Sequence, residues 1–568
     1  MKKLVNDPNR VVEEMLQGLV AIHPGLRRLE GESVLIRADA QDVRGRQVGL
    51  ISGGGSGHEP AHAGYLGRGM LSAAVAGDVF TSPGPDAVFA AIKAVADEPG
   101  ALLIVKNYTG DRINFSLAAE RARAGGIPVE MVIVADDVAL AGGGENAGRR
   151  GLAGTILVHK IAGAAAEAGA SLAEVATEAR NAATAVRTMG VALSPCTVPA
   201  AGKPGFSLGE GEIELGLGIH GEPGVRRMPI EPADVLVDHL MKPILAEIDG
   251  DRVVLMVNNL GATPVMEQAI VARHAIEILE RSGKTVERVY AGTFLSALEM
   301  AGVSLSVLPV DDRRLARLDA TTDAPAWPNA ANLPRTESRQ VTPGPSKPEK
   351  LRTGEPRTAL GQRLGTAVRA VAESLIEAEG RLTELDQAAG DGDLGISLAR
   401  GGRALLEALP FCPLDDPAAT LHELALSLQR CLGGTSGPLY AMALLRAAAY
   451  VRSHDPGSAM TWAEALRAGG EGIMELGGAS LGDRTMLDAL LPASNALITG
   501  LVAGQESLQA LRESVLVAER EADATASLVP RRGRSSYLGD RALGHPDPGA
   551  VAVALWLRGL SRSLETVG

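Results

Sequence analysis

Hydrophobic positions along this chain follow two rhythms, one before and one after a proline-rich break. In the first part, short apolar runs of strand length at 33–37, 48–52, 101–105, 129–134 and 253–258 alternate with Ala-rich stretches at 87–96, 115–124, 154–168 and 171–188 that read as helices. Residues 9–30 read as an opening helix, with Asn9 as cap and Val11, Val12, Met15, Leu16 and Leu19 as its apolar set. This alternation predicts α/β layers over roughly the first 330 residues. From about Thr321 to Pro356 the pattern lapses, and Pro325, Pro328, Pro334, Pro343, Pro345, Pro348 and Pro356 stand among Ser, Thr, Lys and Glu. Such a stretch reads as an extended, semi-rigid linker. Beyond it Leu364, Ala367, Val368, Val371 and Leu375 repeat at helical spacing without alternating β-branched runs, so an all-helical domain is expected. The predicted boundaries are 1–330 for the α/β domain, 331–356 for the linker and 357–568 for the helical domain.

A chain of 568 residues is too long for one core and implies two to four domains, with an apolar fraction of 46% ample to fill them. The net charge of −13 is spread over interspersed acidic and basic residues without a long basic patch, which argues against a nucleic-acid or anionic-membrane partner. Asp7 and Pro8 interrupt the N-terminus before an apolar signal region can form, and no charge-free apolar run reaches about 18 residues. No membrane association and a cytoplasmic location are therefore expected. Cys196, Cys412 and Cys431 are widely spaced with no CxxC pair, supporting neither a disulfide framework nor a zinc site and leaving them as buried thiols.

Candidate chemistry gathers in glycine-rich turns. The segment ISGGGSGHEP, residues 51–60, follows a strand directly, where a glycine turn lets backbone N–H groups approach a ligand. It is neither a GxGxxG fingerprint nor a P-loop, and alone it is equally a structural turn; His58 is what favours a ligand. A second loop, KNYTGDRINF from Lys106, carries Asp111 to the same sheet edge. A third, LGIHGEPG, sets His220 among Gly218, Gly221 and Gly224, with its ring expected in the open and room on both sides. One such histidine is usually structural, but three similar loops favour a polar site in which either histidine serves as nucleophile or acid/base and Asp111 takes a hydroxyl proton.

In the helical part, LDQAAGDGDLG (385–395) places Asp386, Asp391 and Asp393 within eight residues, with Gly390, Gly392 and Gly395 freeing the backbone between them. Carboxylates aimed at one spot suit Mg2+ on nucleotide phosphates, although the same loop alone is also a solvated acidic turn. The GGTSGP segment at 433–438 offers free N–H groups and a positive dipole end to phosphate, or is an ordinary helix cap.

The segments GGGSGHEPAHAG, KNYTGDRINF, GLGIHGEPG and VNNLGATPVME, in this order over about residues 1–330, resemble the dihydroxyacetone-binding domain of the dihydroxyacetone kinases. The acidic loop and the glycine clusters starting at 433, 477 and 533 resemble the nucleotide-binding domain of the same family over 357–568. The resemblance implies two α/β lobes followed by a barrel of antiparallel helices with ATP at one end. It implies that His220 adds through a ring nitrogen to the ketone carbonyl to form a covalent hemiaminal, and that His58 and Asp111 hold the ketose and act as acid and base. Gly55, Ser56, Gly57 and Lys106 would supply backbone contacts. Asp386, Asp391 and Asp393 would hold two Mg2+ ions, Thr435 and Ser436 would touch phosphate oxygens, and Gly390, Gly392, Gly477, Thr485, Met486 and the Asp547-Pro548-Gly549 turn would surround ATP.

What the resemblance implies is ATP-dependent phosphorylation of dihydroxyacetone by a single chain, not the split bacterial form that draws on a phosphotransferase system. The expected assembly is a homodimer in which each helical domain caps the partner's substrate domain. Two departures from the family pattern, Leu394 after GDGD and Ser480-Leu481 in place of a Lys-Pro pair, leave the nucleotide pocket open to change. Other readings are a kinase of a four-carbon ketose such as erythrulose, an FAD-cleaving lyase as in some animal members, and a ketose-binding regulator, which the three aspartates argue against.

Overall fold

The computed structural model describes residues 2–140, 148–222, 224–329, 356–389, 392–432, 435–532, 536 and 542–565. The chain divides into two compact units, residues 1–339 and 340–568. Among the described residues no helix is long and apolar enough to cross a membrane.

The first unit is built on two six-stranded sheets. β1 (Leu26–Arg28), β2 (Val34–Arg37), β3 (Gly49–Ser56), β4 (Ala73–Val79), β5 (Ala101–Lys106) and β6 (Val129–Val134) lie in the order β1-β2-β4-β3-β5-β6. The four central and right-hand strands are parallel, while β1 and β2 add antiparallel. β7 (Arg187–Ala192), β8 (Glu212–Leu215), β9 (Arg226–Pro229), β10 (Arg252–Asn259), β11 (Thr285–Gly292) and β12 (Gly302–Pro309) form the second sheet in the order β11-β10-β12-β7-β8-β9, parallel only between β10 and β11. Helices α1 (Val11–Ile22), α2 (Ala40–Val43), α3 (Pro85–Val95), α4 (Thr109–Ala124), α5 (Thr155–Glu167) and α6 (Leu172–Ala185) belong to the first lobe, and α7 (Ala233–Leu245) and α8 (Val265–Arg281) cover the second. α9 (Asp312–Asp319) returns to pack on α5. β3 and β5 are buried on both faces, as parallel strands between helical layers must be. Their odd-numbered residues Ile51, Leu103 and Val105 meet Phe115 of α4, and Leu50, Leu102 and Ile104 face α5. Their carboxyl ends release the chain at residues 57 and 107, the edge where a ligand of an open α/β sheet is expected.

Several sequence-based boundaries are corrected. The opening helix stops at Ile22 instead of residue 30, because Pro24 and Gly25 break it and Leu26–Arg28 joins the sheet as β1. The 171–188 helix ends at Ala185, and β7 begins two residues later. Gly53, Gly54 and Gly55 form no turn; they lie inside β3, where a Cβ on Gly53 would stand 2.4 Å from the Val75 carbonyl oxygen of β4. The segment from Thr321 does not yet behave as linker. Trp327 is buried against Tyr290 with ring centroids 4.8 Å apart, the Ala326 N–H bonds to Gly64 O at 2.9 Å, and Thr322 Oγ1 donates to Arg68 O at 2.6 Å. One large aromatic anchor is enough to fold this proline-bearing tail onto the first unit. Residues 330–355 lie outside the described residues.

The second unit is all helix: α10 (Ala359–Glu377), α11 (Glu379–Ala389), α12 (Leu394–Ala408), α13 (Pro417–Cys431), α14 (Ser436–Arg452), α15 (Ala459–Gly477), α16 (Leu487–Val502), α17 (Ser507–Ala524) and α18 (Pro548–Glu565). From α12 onward each helix packs on the next, α18 packs on α10, and α10 packs on α12, so eight helices close into a ring with short α11 beside α12 and α18. The predicted stripe Leu364, Ala367, Val368, Val371 and Leu375 faces inward and lines an apolar cavity of about 690 Å³. The ring therefore follows from one apolar face per helix, each turned toward the same axis.

Candidate active site

In the first unit the three predicted loops meet. His58 follows Gly57, whose φ of +98° only glycine adopts freely, and its ring is fully buried. Its Nδ1 lies 2.8 Å from the Ser296 carbonyl, which only accepts, so Nδ1 carries the proton and Nε2 keeps a lone pair. Burial, then the charge of Lys106 and the neighbouring His220, hold the His58 pKa well below the usual histidine range, so the ring is neutral. Nε2 has no hydrogen-bond partner among the described residues and presents a free acceptor.

His220 does not stand in the open as its glycines suggest. Its ring is boxed by His58, Phe80 and Tyr108 at centroid distances of 4.8, 5.2 and 4.7 Å. Nδ1 lies 2.7 Å from Glu222 Oε1, and Glu222 Oε2 accepts the backbone N–H of His220 at 3.0 Å. The carboxylate thus grips one residue at two points, setting both ring orientation and tautomer, with Nε2 left as the free nitrogen. Burial pushes the Glu222 carboxyl up, but its hydrogen bond to His220 and the charge of that ring outweigh it and hold the pKa at about 2. Gly218 makes the grip possible, since a Cβ there would stand 2.0 Å from Glu222 Oε2.

Asp111 is on the first turn of α4, not in a loop, and is buried with Oδ1 unpartnered among the described residues. Lys106, the last residue of β5, is fully buried, and it is its Nζ, not its backbone, that is free. Burial lowers its pKa, while Asp111, Glu222, Glu59 and Asp136 act to keep it charged. Of the backbone contacts expected of residues 55–57, the Gly57 N–H is engaged already, bonding to the Glu59 carboxylate at 3.0 Å, and the Ser56 side chain is held as well, its Oγ donating to Gly77 O at 2.7 Å. The structure therefore gathers His58, Lys106, Asp111 and His220 as the groups with free polar atoms. Ser296, Phe80, Tyr108 and Glu222 are not singled out by sequence. Glu222 has a signal, its place two residues after His220 in GIHGEPG, and so has Tyr108, which lies within KNYTGDRINF; Ser296 and Phe80 come from other segments and have none.

In the helical unit, Asp386 is buried on α11 and its Oδ2 accepts the Leu394 N–H at 3.0 Å, which brings it beside Asp393 at the N-terminal cap of α12. Gly390 and Asp391 lie outside the described residues. Leu394 contributes its backbone here, and Leu481 is exposed, so neither departure displaces a described carboxylate. No cluster of three metal-ligating side chains occurs among the described residues; Asp386 and Asp393 are hard oxygen donors that suit Mg2+. Thr435 and Ser436 stand at the start of α14, at its free N–H groups. Gly477 ends α15, and the following turn is held by Asp488, which accepts from the Gly482 and Thr485 N–H groups at 2.5 and 2.7 Å.

Buried Arg484, at φ +62°, donates to the Thr525, Ala542 and His545 carbonyls and ties that turn to the segment before α18. A Cβ on Gly549 would lie 3.5 Å from Met486 Cβ, so Met486 and Asp547-Pro548-Gly549 share one place. Burial raises the Asp547 pKa to about 6. The fold favours its protonated form, so its cost is absent below pH 3.8 and complete once pH rises through about 6. The Asp547→Asn variant should accordingly gain melting temperature over wild type progressively across that window, as thermal unfolding at stepped pH would show; a constant difference would refute the titration.

The comparisons agree over the whole chain. The Dak1 domain matches residues 17–326 and the DAK2 domain residues 388–562. The human protein named triokinase/FMN cyclase is 45% identical, covering 100% of both chains, and the Citrobacter freundii dihydroxyacetone kinase is 38% identical, covering 98% of both. The crystal structure of the C. freundii enzyme in complex with AMP-PNP and Mg2+ superposes with a TM-score of 0.61 at 35% identity over 99% of each chain. With both domains matched in order and relatives alike along their full length, this chain belongs to the dihydroxyacetone kinase family.

Proposed function

We propose that the chain is an ATP-dependent cytoplasmic kinase that phosphorylates dihydroxyacetone while holding the ketone covalently on His220. The observation that carries this reading is the His220–Glu222 pair, 2.7 Å apart, which leaves Nε2 as a nucleophile inside a box of His58, Phe80 and Tyr108. Nε2 adds to the carbonyl carbon, a C–N bond forms, and the π pair moves onto oxygen. Glu222 stabilises the positive charge that develops on the ring, and the proton given up by Nδ1 balances the one gained by the carbinol oxygen. Glycerol has no carbonyl and cannot be captured. Nε2 of His58 and Oδ1 of Asp111 accept hydroxyl protons; Asp111 takes the one from the terminal hydroxyl as that oxygen attacks the γ-phosphorus and the bond to the ADP oxygen breaks. Mg2+, for which Asp386 and Asp393 are suited, supplies charge neutralisation on the phosphates when bound.

Steady-state phosphorylation assays with dihydroxyacetone, erythrulose and glycerol test the reading: turnover with a ketose and none with glycerol is expected, and equal turnover of glycerol would refute carbonyl capture. Competition between the two ketoses decides the preferred chain length. The 45% identity to a triokinase/FMN cyclase favours a second activity, which incubation with FAD and Mn2+ would reveal as cyclic FMN. For Glu222→Gln, which keeps an acceptor but loses the charge, kcat/KM should fall about 10- to 100-fold, with Glu222→Asp intermediate. We retain the homodimer as part of this reading; a fully active monomer in sedimentation velocity would contradict it.

A further inference from the structure

Behind the ketose loops, on the sheet face covered by α5, polar side chains converge on one enclosed spot. Alternation along β3 and β5 puts Ser52 and Gly54 on that face together with Ile104 and Lys106. Ser52 Oγ donates to the Ile104 carbonyl at 2.7 Å and lies 3.3 Å from His62 Nδ1, which therefore carries its ring proton toward Ser52 and leaves Nε2 as an acceptor. The His62 ring packs edge-on against His159 of α5, with centroids 5.2 Å apart. Thr155 precedes His159 by one helical turn on the same side of α5.

These side chains are 0 to 6% exposed, yet His62 Nε2, both ring nitrogens of His159 and Thr155 Oγ1 have no hydrogen-bond partner among the described residues. The neutral imidazole of His159 needs one acceptor and one donor whichever tautomer it adopts. Further along the same face, Lys106 Nζ likewise has no hydrogen-bond partner among the described residues, although it stands 5.9 Å from the Tyr108 ring centroid. So many buried polar groups left unmet in one place are intolerable unless something meets them. The unmet groups between the two histidines and Thr155 are imidazole nitrogens and a hydroxyl, so the spot suits a small neutral molecule that both donates and accepts.

We propose that this cluster of unpartnered polar groups is a built hydration site. Ordered water bonded to Thr155, His159 and His62 runs along the α5 face to the Lys106 ammonium and supplies the acceptors that it lacks. Lys106 is thereby fixed over Gly54, where a Cβ would stand 3.2 Å from Nζ and 3.6 Å from Asp111 Oδ2. The water thus positions the cation of the ketose site, a role that rests on the kinase reading; the site's occupancy does not.

A crystal structure of the full chain at about 1.8 Å tests occupancy. Water within hydrogen-bond distance of Thr155, His159 and Lys106 is expected. Absence of water there, or these atoms paired with protein, would overturn the proposal. The Thr155→Val variant, which keeps shape and loses the hydroxyl, should form the ketose adduct about three- to tenfold more slowly, with Thr155→Ser restoring the rate. Equal rates for Val and wild type would overturn the positioning role. Water present without any ketose adduct on wild type would support the hydration site and refute covalent capture.

Discussion

The His220→Ala variant is expected to lose kcat/KM for dihydroxyacetone by about 10³-fold, roughly 4 kcal/mol of transition-state stabilisation. The loss has two sources. Without the imidazole no carbon–nitrogen bond can form, and the ketose is then left with hydrogen bonds to His58, Lys106 and Asp111, whose side chains keep unpartnered polar atoms. Orientation is lost as well, because a tethered hydroxyl is fixed for in-line attack and a diffusing one is not. The side chain is at the surface of its box rather than in a core, with 19% of its area exposed, so the melting temperature should change little. Steady-state kinetics with a parallel unfolding scan separates the two quantities. A variant within tenfold of wild type would show that the ring orients substrate without bonding to it.

The Asp386→Asn variant is expected to lower kcat by about 10²- to 10³-fold while leaving ketose capture intact. The introduced amide would still accept the Leu394 N–H through its carbonyl oxygen, so the α11–α12 junction should survive. What disappears is one negative charge that, on the proposed reading, would help to hold Mg2+, and raising the Mg2+ concentration should recover part of the activity. Kinetics at several Mg2+ concentrations, beside adduct formation on the same variant, give the answer. Loss of the adduct together with turnover would mean that the substitution damages the fold.

The candidate site is legible in sequence wherever a motif is local. GSGH, TGD and GIHGEPG mark His58, Asp111 and His220, and the structure brings these three together. Illegible are the relations that depend on distant segments. The tautomer of His58 is set by the Ser296 carbonyl, 238 residues away, and Phe80 and Tyr108 reach the His220 ring from different loops. Glycine misleads for a physical reason: permissive dihedrals suggest a turn, whereas Gly53 is needed in a strand because the neighbouring β4 leaves no room for a side chain. Prolines mislead in the same way between Thr321 and Asn329, where buried Trp327 outweighs their extended preference. Helical periodicity in the second half is a better guide, since every inward stripe of the ring is a sequence-local property.

Central to this account is the bond between His220 and the ketone, and carbon NMR of the native protein with dihydroxyacetone labelled at C2 observes it directly. The account predicts that the bound label moves from the carbonyl region to that of a tetrahedral carbon carrying nitrogen and oxygen, in wild type and in Asp386→Asn but not in His220→Ala. A bound signal that keeps its carbonyl shift in wild type would contradict covalent capture and reduce His220 to a hydrogen-bonding residue.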